Sequence, residues 1–210
     1  MRTIPMTLLA ASLALGLAAC SERQDGYDDA ATPPAATEAP AAPVAPSTPA
    51  ATADMTTTPA AGTMAILAAT EGNSVTGEIT FAAVDGGVAI TGQVNGLSPN
   101  TEHGFHVHET GDCSAPDGTS AGGHFNPTDS AHGRVSAGEH HVGDTDNIRA
   151  DDTGVARVDT RLDGATLADG APTDVLGRAV IVHADPDDYA TQPTGNAGAR
   201  LACGVITQAM

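Results

Sequence analysis

From Thr63 to the C-terminus, the apolar residues come in short runs broken by Gly, Asn and Asp, and no stretch sustains a helical period. The runs are Met64 to Ala69, Val75 to Phe81, Val88 to Leu97, Phe105 to His108, Val155 to Leu162, Ala179 to His183 and Leu201 to Ile206. Val75 to Phe81 alternates with a period near two, as a strand does when one face is buried. Many short strands between turn residues predict an all-β sandwich or barrel. With 3 Phe, 2 Tyr and no Trp, its core must be built from Val, Ile, Leu and Ala. Two segments, 109–153 and 184–199, lack strand character. Loops of that length in a compact domain are usually functional.

The first 62 residues have a different character. Arg2 precedes an apolar run from Met6 to Ala19, which is too short to span a bilayer comfortably and suits the core of a signal peptide. Residues 1–19 therefore read as an export signal. It ends in Leu17-Ala18-Ala19-Cys20, which resembles the bacterial lipobox, whose Cys becomes the lipidated first residue; ordinary cleavage near Ala19 is the alternative. Residues 20–62 are mostly Ala, Pro, Thr and a few acids, and hold half of the chain's 14 Pro. Such a segment has too little apolar surface to offset the entropy of ordering, so it reads as a disordered spacer. As a flexible coil it would reach about 35–40 Å. Residues 63–210 form the folded domain. The expected location is the periplasm or cell envelope, tethered to a bacterial membrane.

Charge removes several function classes. The chain has 8 Arg, no Lys and 26 acids, for a formal −18 and a pI near 4.4. A nucleic-acid binder needs a basic surface to displace counterions from phosphates. Attachment to anionic lipid by charge alone is disfavoured for the same reason. Membrane contact is thus expected only through a lipid anchor at Cys20.

All eight His lie between 103 and 183. His106 and His108 sit in a strand-like run, where residues i and i+2 share a face and can meet one metal. His124 follows in Gly-Gly-His-Phe-Asn-Pro, and His132 comes eight residues later. His141 and Asp144 put an imidazole and a carboxylate three apart, and His183 ends Val180-Ile-Val-His. Imidazole-rich sites suit copper and zinc, and three imidazoles with one carboxylate suit tetrahedral zinc.

Gly104-Phe-His-Val-His-Glu109, Gly123-His-Phe-Asn-Pro127, His141-Val-Gly-Asp144, Val182-His183 and Gly195-Asn-Ala-Gly-Ala-Arg-Leu-Ala-Cys-Gly204, in this order, resemble copper/zinc superoxide dismutases. The resemblance implies an eight-stranded antiparallel Greek-key barrel with two long functional loops. It implies one copper per chain, on His106, His108, His124 and His183, and one zinc, on His124, His132, His141 and Asp144, with His124 bridging. Asp187 would hydrogen-bond a copper-bound and a zinc-bound His at once. Arg200 would attract the anion, and Cys113 and Cys203 would form a disulfide. That leaves Cys20 as the odd cysteine, consistent with lipidation in an exported protein. The implied activity converts two superoxide anions and two protons to dioxygen and hydrogen peroxide by redox cycling of copper, with His124 carrying a proton. The cell envelope would be what it protects.

His103 matches a structural His of the family. Of His140 and His141, the motif selects His141. Glu109, Glu139, Asp185 and Asp188 read as surface or loop acids. Only 16 residues separate His183 from Arg200, and none is Lys or Arg, so Arg200 has no basic helpers in that segment. Asp112-Cys-Ser-Ala-Pro116 resembles bacterial members more than eukaryotic ones, which leaves a homodimer open. A metal chaperone or buffer would need neither Arg200 nor a bridging His. A catalytically dead relative would have lost ligands, and a copper-only enzyme would not need His132, His141 and Asp144.

Overall fold

The computed structural model describes residues 62–208. The proposed signal peptide, Cys20 and nearly all of the spacer lie outside them. Ten strands follow in order: β1 Thr63–Ala69, β2 Thr76–Val84, β3 Gly87–Asn95, β4 Glu102–His103, β5 Phe105–His108, β6 Ile148–Arg149, β7 Ala156–Asp163, β8 Ala179–His183, β9 Arg200–Val205 and β10 Thr207–Gln208. Eight form one sheet in the order β5-β8-β9-β1-β2-β3-β7, with β10 also on β1. Every pairing is antiparallel. The sheet curls into a half-barrel, as the all-β expectation requires. β3 and β7 are neighbours although β4, β5 and β6 intervene, and β5 pairs with β8 at the far edge. These are the long crossings of a Greek key.

One departure concerns 109–153, which is not free of strand. Ile148–Arg149 pairs with Glu102–His103 in a separate two-stranded ladder. Two residues are too few to show a period.

The alternation read from the sequence builds the core. Ala65 and Leu67 of β1, Ile79 and Phe81 of β2, Val88, Ile90 and Val94 of β3, and Ala156, Val158 and Leu162 of β7 point inward together. Burying each large aliphatic side chain is worth roughly 1.5–3 kcal/mol. β5 and β8 differ, because every position in them is buried. Phe105, Val107, Val180 and Val182 face the main core. Their alternates, His106, His108, Ile181 and His183, take the opposite face of the sheet, which the long loops cover. The metal-ligating candidates therefore lie on the outside of the barrel, beneath a roof of loops.

Two devices fix that roof. Cys113 and Cys203 form a disulfide with Cα atoms 5.8 Å apart, tying the 109–153 segment to β9. A register shift between Val182 and His183 sets His183 opposite Arg200. Such irregularities commonly re-aim a side chain next to a site.

Candidate metal centre

Two quartets of buried side chains meet back to back. In each, one ligand atom per residue lies within 4.8 Å of the others: His106, His108, His124 and His183 in one, His124, His132, His141 and Asp144 in the other. His124 belongs to both. Its ring centroid is 4.1 Å from that of His106 and 5.1 Å from that of His108. It is 5.2 Å from His132 and 5.6 Å from His141. Backbone pairing places it there: His124 bridges to His108, and Phe125 N–H donates to the Val107 carbonyl.

Each imidazole of the first quartet spends one nitrogen on the protein. Nε2 of His106 donates to Asp187 Oδ2 at 2.9 Å. Nδ1 of His108 donates to the Gly122 carbonyl at 2.9 Å, and Nδ1 of His183 to the Gly198 carbonyl at 3.4 Å. These bonds fix the tautomers, so the other nitrogens present lone pairs. Two of them, Nε2 of His108 and Nε2 of His183, face each other at 3.3 Å. Nδ1 of His106 and Nε2 of His124 are buried with no hydrogen-bond partner. Lone pairs converging in a buried space repel unless a cation lies among them, so the residues fit a metal ion.

In the second quartet, Nδ1 of His132 and Nδ1 of His141 are likewise buried without a hydrogen bond. Both lie close to Asp144, at 3.0 Å and 3.3 Å, but not in donor geometry. Asp144 Oδ1 accepts from Nδ1 of His124 at 2.7 Å. Its Oδ2 accepts the backbone N–H groups of Gly133 and His141. Three nitrogens and one carboxylate match the donor set of tetrahedral zinc, and four imidazoles that of copper.

Asp187 joins the quartets. Its Oδ2 takes His106 and its Oδ1 takes Nε2 of His132 at 3.0 Å. The Tyr189 N–H donates to the same Oδ1, and Asn147 pairs reciprocally with the Asp187 backbone. Gly195, at φ +64°, packs directly on the Asp187 carboxylate, where a Cβ would collide with it.

Ionisation follows burial and partners. Burial lowers His106 to about 4 despite Asp187, and takes His108 and His183 well below their ordinary value. Burial also lowers His141. His132 goes the other way: burial opposes its charge, but Asp144 and Asp187 outweigh it and raise the group to about 9. Burial would raise both carboxylates. The hydrogen bond from His124 and the adjacent His132 ring at Asp144, and hydrogen bonds from His106 and His132 to Asp187, overcome it and hold both well below the usual carboxylate range.

Arg200 is half-buried beside the first quartet, and its charge helps to depress His108 and His183. Its guanidinium donates to the carbonyls of Gly118 and Gly122, both at 2.6 Å. His103 is a structural residue: its ring bridges Thr101 Oγ1 and the His183 carbonyl. His140 stays outside both quartets, with its ring on the His141 carbonyl. Asp188 caps a turn at Ala190 and Thr191, and Asp185 and Glu139 are exposed. Glu109 is exposed too, but its carboxylate accepts the Gly123 N–H beside the bridging His. Asn147 was not singled out by the sequence, since a lone amide carries no motif signal.

An outer-barrel site with four imidazoles on one metal, sharing one imidazole with a tetrahedral neighbour, defines a binuclear copper–zinc protein. The chain belongs to the copper/zinc superoxide dismutase family: residues 75–206 match the family described as copper/zinc superoxide dismutase (SODC). Superoxide dismutase [Cu-Zn] 2 of Aquifex aeolicus is 43% identical over 140 residues, covering 65% of this chain and 81% of the relative. Superoxide dismutase [Cu-Zn] 1 of the same organism is 41% identical over 133 residues, covering 62% and 79%. The crystal structure of a SOD-like protein from Bacillus subtilis superposes with a TM-score of 0.62 at 38% identity, covering 69% of this chain and 98% of that one. The clock protein EA4 gives a TM-score of 0.62 at 42% identity, covering 70% and 94%. His106, His108, His124 and His183 make the copper site; His124, His132, His141 and Asp144 make the zinc site, with His124 the bridge.

Proposed function

We propose that this chain is a lipid-anchored dismutase of the bacterial cell envelope, which protects the envelope from external superoxide. The observation that carries the chemistry is the double use of His124, with Nδ1 on Asp144 and Nε2 aimed unpaired into the copper quartet. Copper bound by the four imidazoles supplies the one-electron redox change, and zinc supplies a fixed charge. The chain's own residues do the rest. Arg200 offers a guanidinium held by two carbonyls and draws the anion toward the copper quartet. His124 would take up a solvent proton at Nε2 and deliver it to the reduced substrate, with the second proton also from solvent, so that two superoxide anions and two protons give dioxygen and hydrogen peroxide. Asp187 keeps the rings of His106 and His132 in their ligating tautomers.

The test is superoxide dismutation by the chain loaded with copper and zinc, with and without cyanide. Rapid, cyanide-sensitive turnover supports the reading. One copper and one zinc bound without turnover would point instead to a metal buffer. The anchor rests on the Leu-Ala-Ala-Cys20 motif and is tested separately. Cys20→Ala should move the protein from the membrane fraction to the soluble fraction and abolish labelling by fatty acid; unchanged partition would refute it. A homodimer, the remaining expectation, is tested by sedimentation.

A further inference from the structure

We infer that Gln192 is a positioning residue for the zinc ligand His132, a reading that rests on the zinc assignment above. The other ligands sit on backbone that is paired with backbone. His106 and His108 are in β5 and His183 is in β8. His124 bridges to His108, and the Asp144 N–H donates to the His141 carbonyl. His132 is different. Neither its N–H nor its carbonyl takes part in a backbone–backbone hydrogen bond among the described residues. Both are taken by one side chain from the other long loop: the His132 N–H donates to Gln192 Oε1 at 2.9 Å, and Gln192 Nε2 donates to the His132 carbonyl at 2.8 Å.

An amide side chain in this geometry imitates a strand neighbour. It satisfies one donor and one acceptor at once, and only an amide has both at that spacing. The imidazole of His132 is fixed at Nε2 by Asp187, but a ring held only at its tip can still swing with its backbone. Gln192 holds the other end. Between them, Asp187 and Gln192 leave Nδ1 one direction, toward Asp144. Both come from the 184–199 segment, so that loop sets the position of a ligand carried by the 109–153 loop. Partners that orient a ligand typically contribute 10–100-fold in metal affinity. Gln192 is exposed and acts through the main chain, so its share falls at the low end, about tenfold.

The experiment uses the full chain loaded with copper and zinc and follows zinc transfer to a chromophoric chelator. Gln192→Ala should release zinc about tenfold faster with its copper content unchanged. Gln192→Glu keeps the acceptor but sets a carboxylate oxygen against the His132 carbonyl, so it should not restore retention. Cobalt(II) in the zinc site gives a signature of ligand geometry, and its visible bands should shift and weaken in Gln192→Ala. Ile90→Val, in the distant core, should lower thermal stability without changing zinc release or the cobalt spectrum. Wild-type zinc release and cobalt bands in Gln192→Ala would overturn the inference. So would an equal change in Ile90→Val, which would mean that any loss of stability loosens zinc. A wild-type chain that binds copper but no zinc would remove the reading on which the inference stands.

Discussion

At the scale of single residues, the metal site sets the pH dependence of the metal-free chain. An unfolded His titrates near 6.5. His106 is held to about 4 when folded, and His108 and His183 are also depressed. Between pH 6.5 and 4 the unfolded chain binds more protons at these groups, so stability is lost as pH falls. Asp144 and Asp187, held below the usual carboxylate range, add their loss below about pH 4. His132 acts in the opposite direction. Raised to about 9, it contributes stability that is fully present below 6.5 and disappears as pH rises through 9. The metal-free chain should therefore be most stable near pH 6.5 and weaken on both sides, as read from urea midpoints. Zinc needs the Nδ1 lone pair of His132. Loading zinc near pH 7.5 should thus expel a proton from that ring, visible with an indicator dye, and should flatten the alkaline limb. Midpoints that keep rising from pH 7 to 9 in the metal-free chain would contradict this.

At the scale of elements, the strands were legible because hydrophobic alternation writes them directly. The seven apolar runs correspond to β1, β2, β3, β5, β7, β8 and β9. β4, β6 and β10 escaped because each is two residues long and depends on a distant partner. Within the site, a shared strand face already brought His106 and His108 together, whereas grouping them with His132 and His183 needed the family resemblance. The clips between the long loops, Asn147 on Asp187 and Gln192 on His132, were invisible, because a side-chain amide pairing with remote backbone leaves no spacing to read. The disulfide is the element-scale device whose effect is easiest to measure. It spans 90 residues, and removing such a bridge typically costs about 2–5 kcal/mol. The same bridge anchors the loop whose Gly118 and Gly122 carbonyls hold Arg200. Cys113→Ser should accordingly lower the urea midpoint. It should also reduce dismutation by the metal-loaded protein at temperatures where that protein is still folded. Full activity with reduced stability would show that Arg200 keeps its place without the bridge.

At the scale of the whole molecule, charge poses the remaining problem. The folded part, 63–210, carries six Arg and twenty acids, a formal −14, and must admit an anion. Glu71 and Asp117 line the same surface hollow as Arg200, so the charge around Arg200 itself is mixed in sign. Two length scales separate the effects. Acids spread over the surface act at a distance and are screened beyond about 8 Å at physiological salt. In its proposed role the half-buried Arg200, together with the charge of bound metals, would act over the last few ångströms, where low-dielectric walls focus its field. Salt also screens the part of the Arg200 and metal attraction that reaches out into solvent, so if that attraction outweighs the acids at the mouth, kcat/KM of the wild-type enzyme falls with ionic strength. Arg200→Glu removes that attraction and adds one more acid at the mouth. Its kcat/KM should be at least about tenfold lower at low salt. Its salt dependence should also change sign, because screening then relieves a net repulsion. Pulse radiolysis across a range of ionic strength measures both slopes. Parallel slopes for the two enzymes would place the steering charge somewhere other than Arg200.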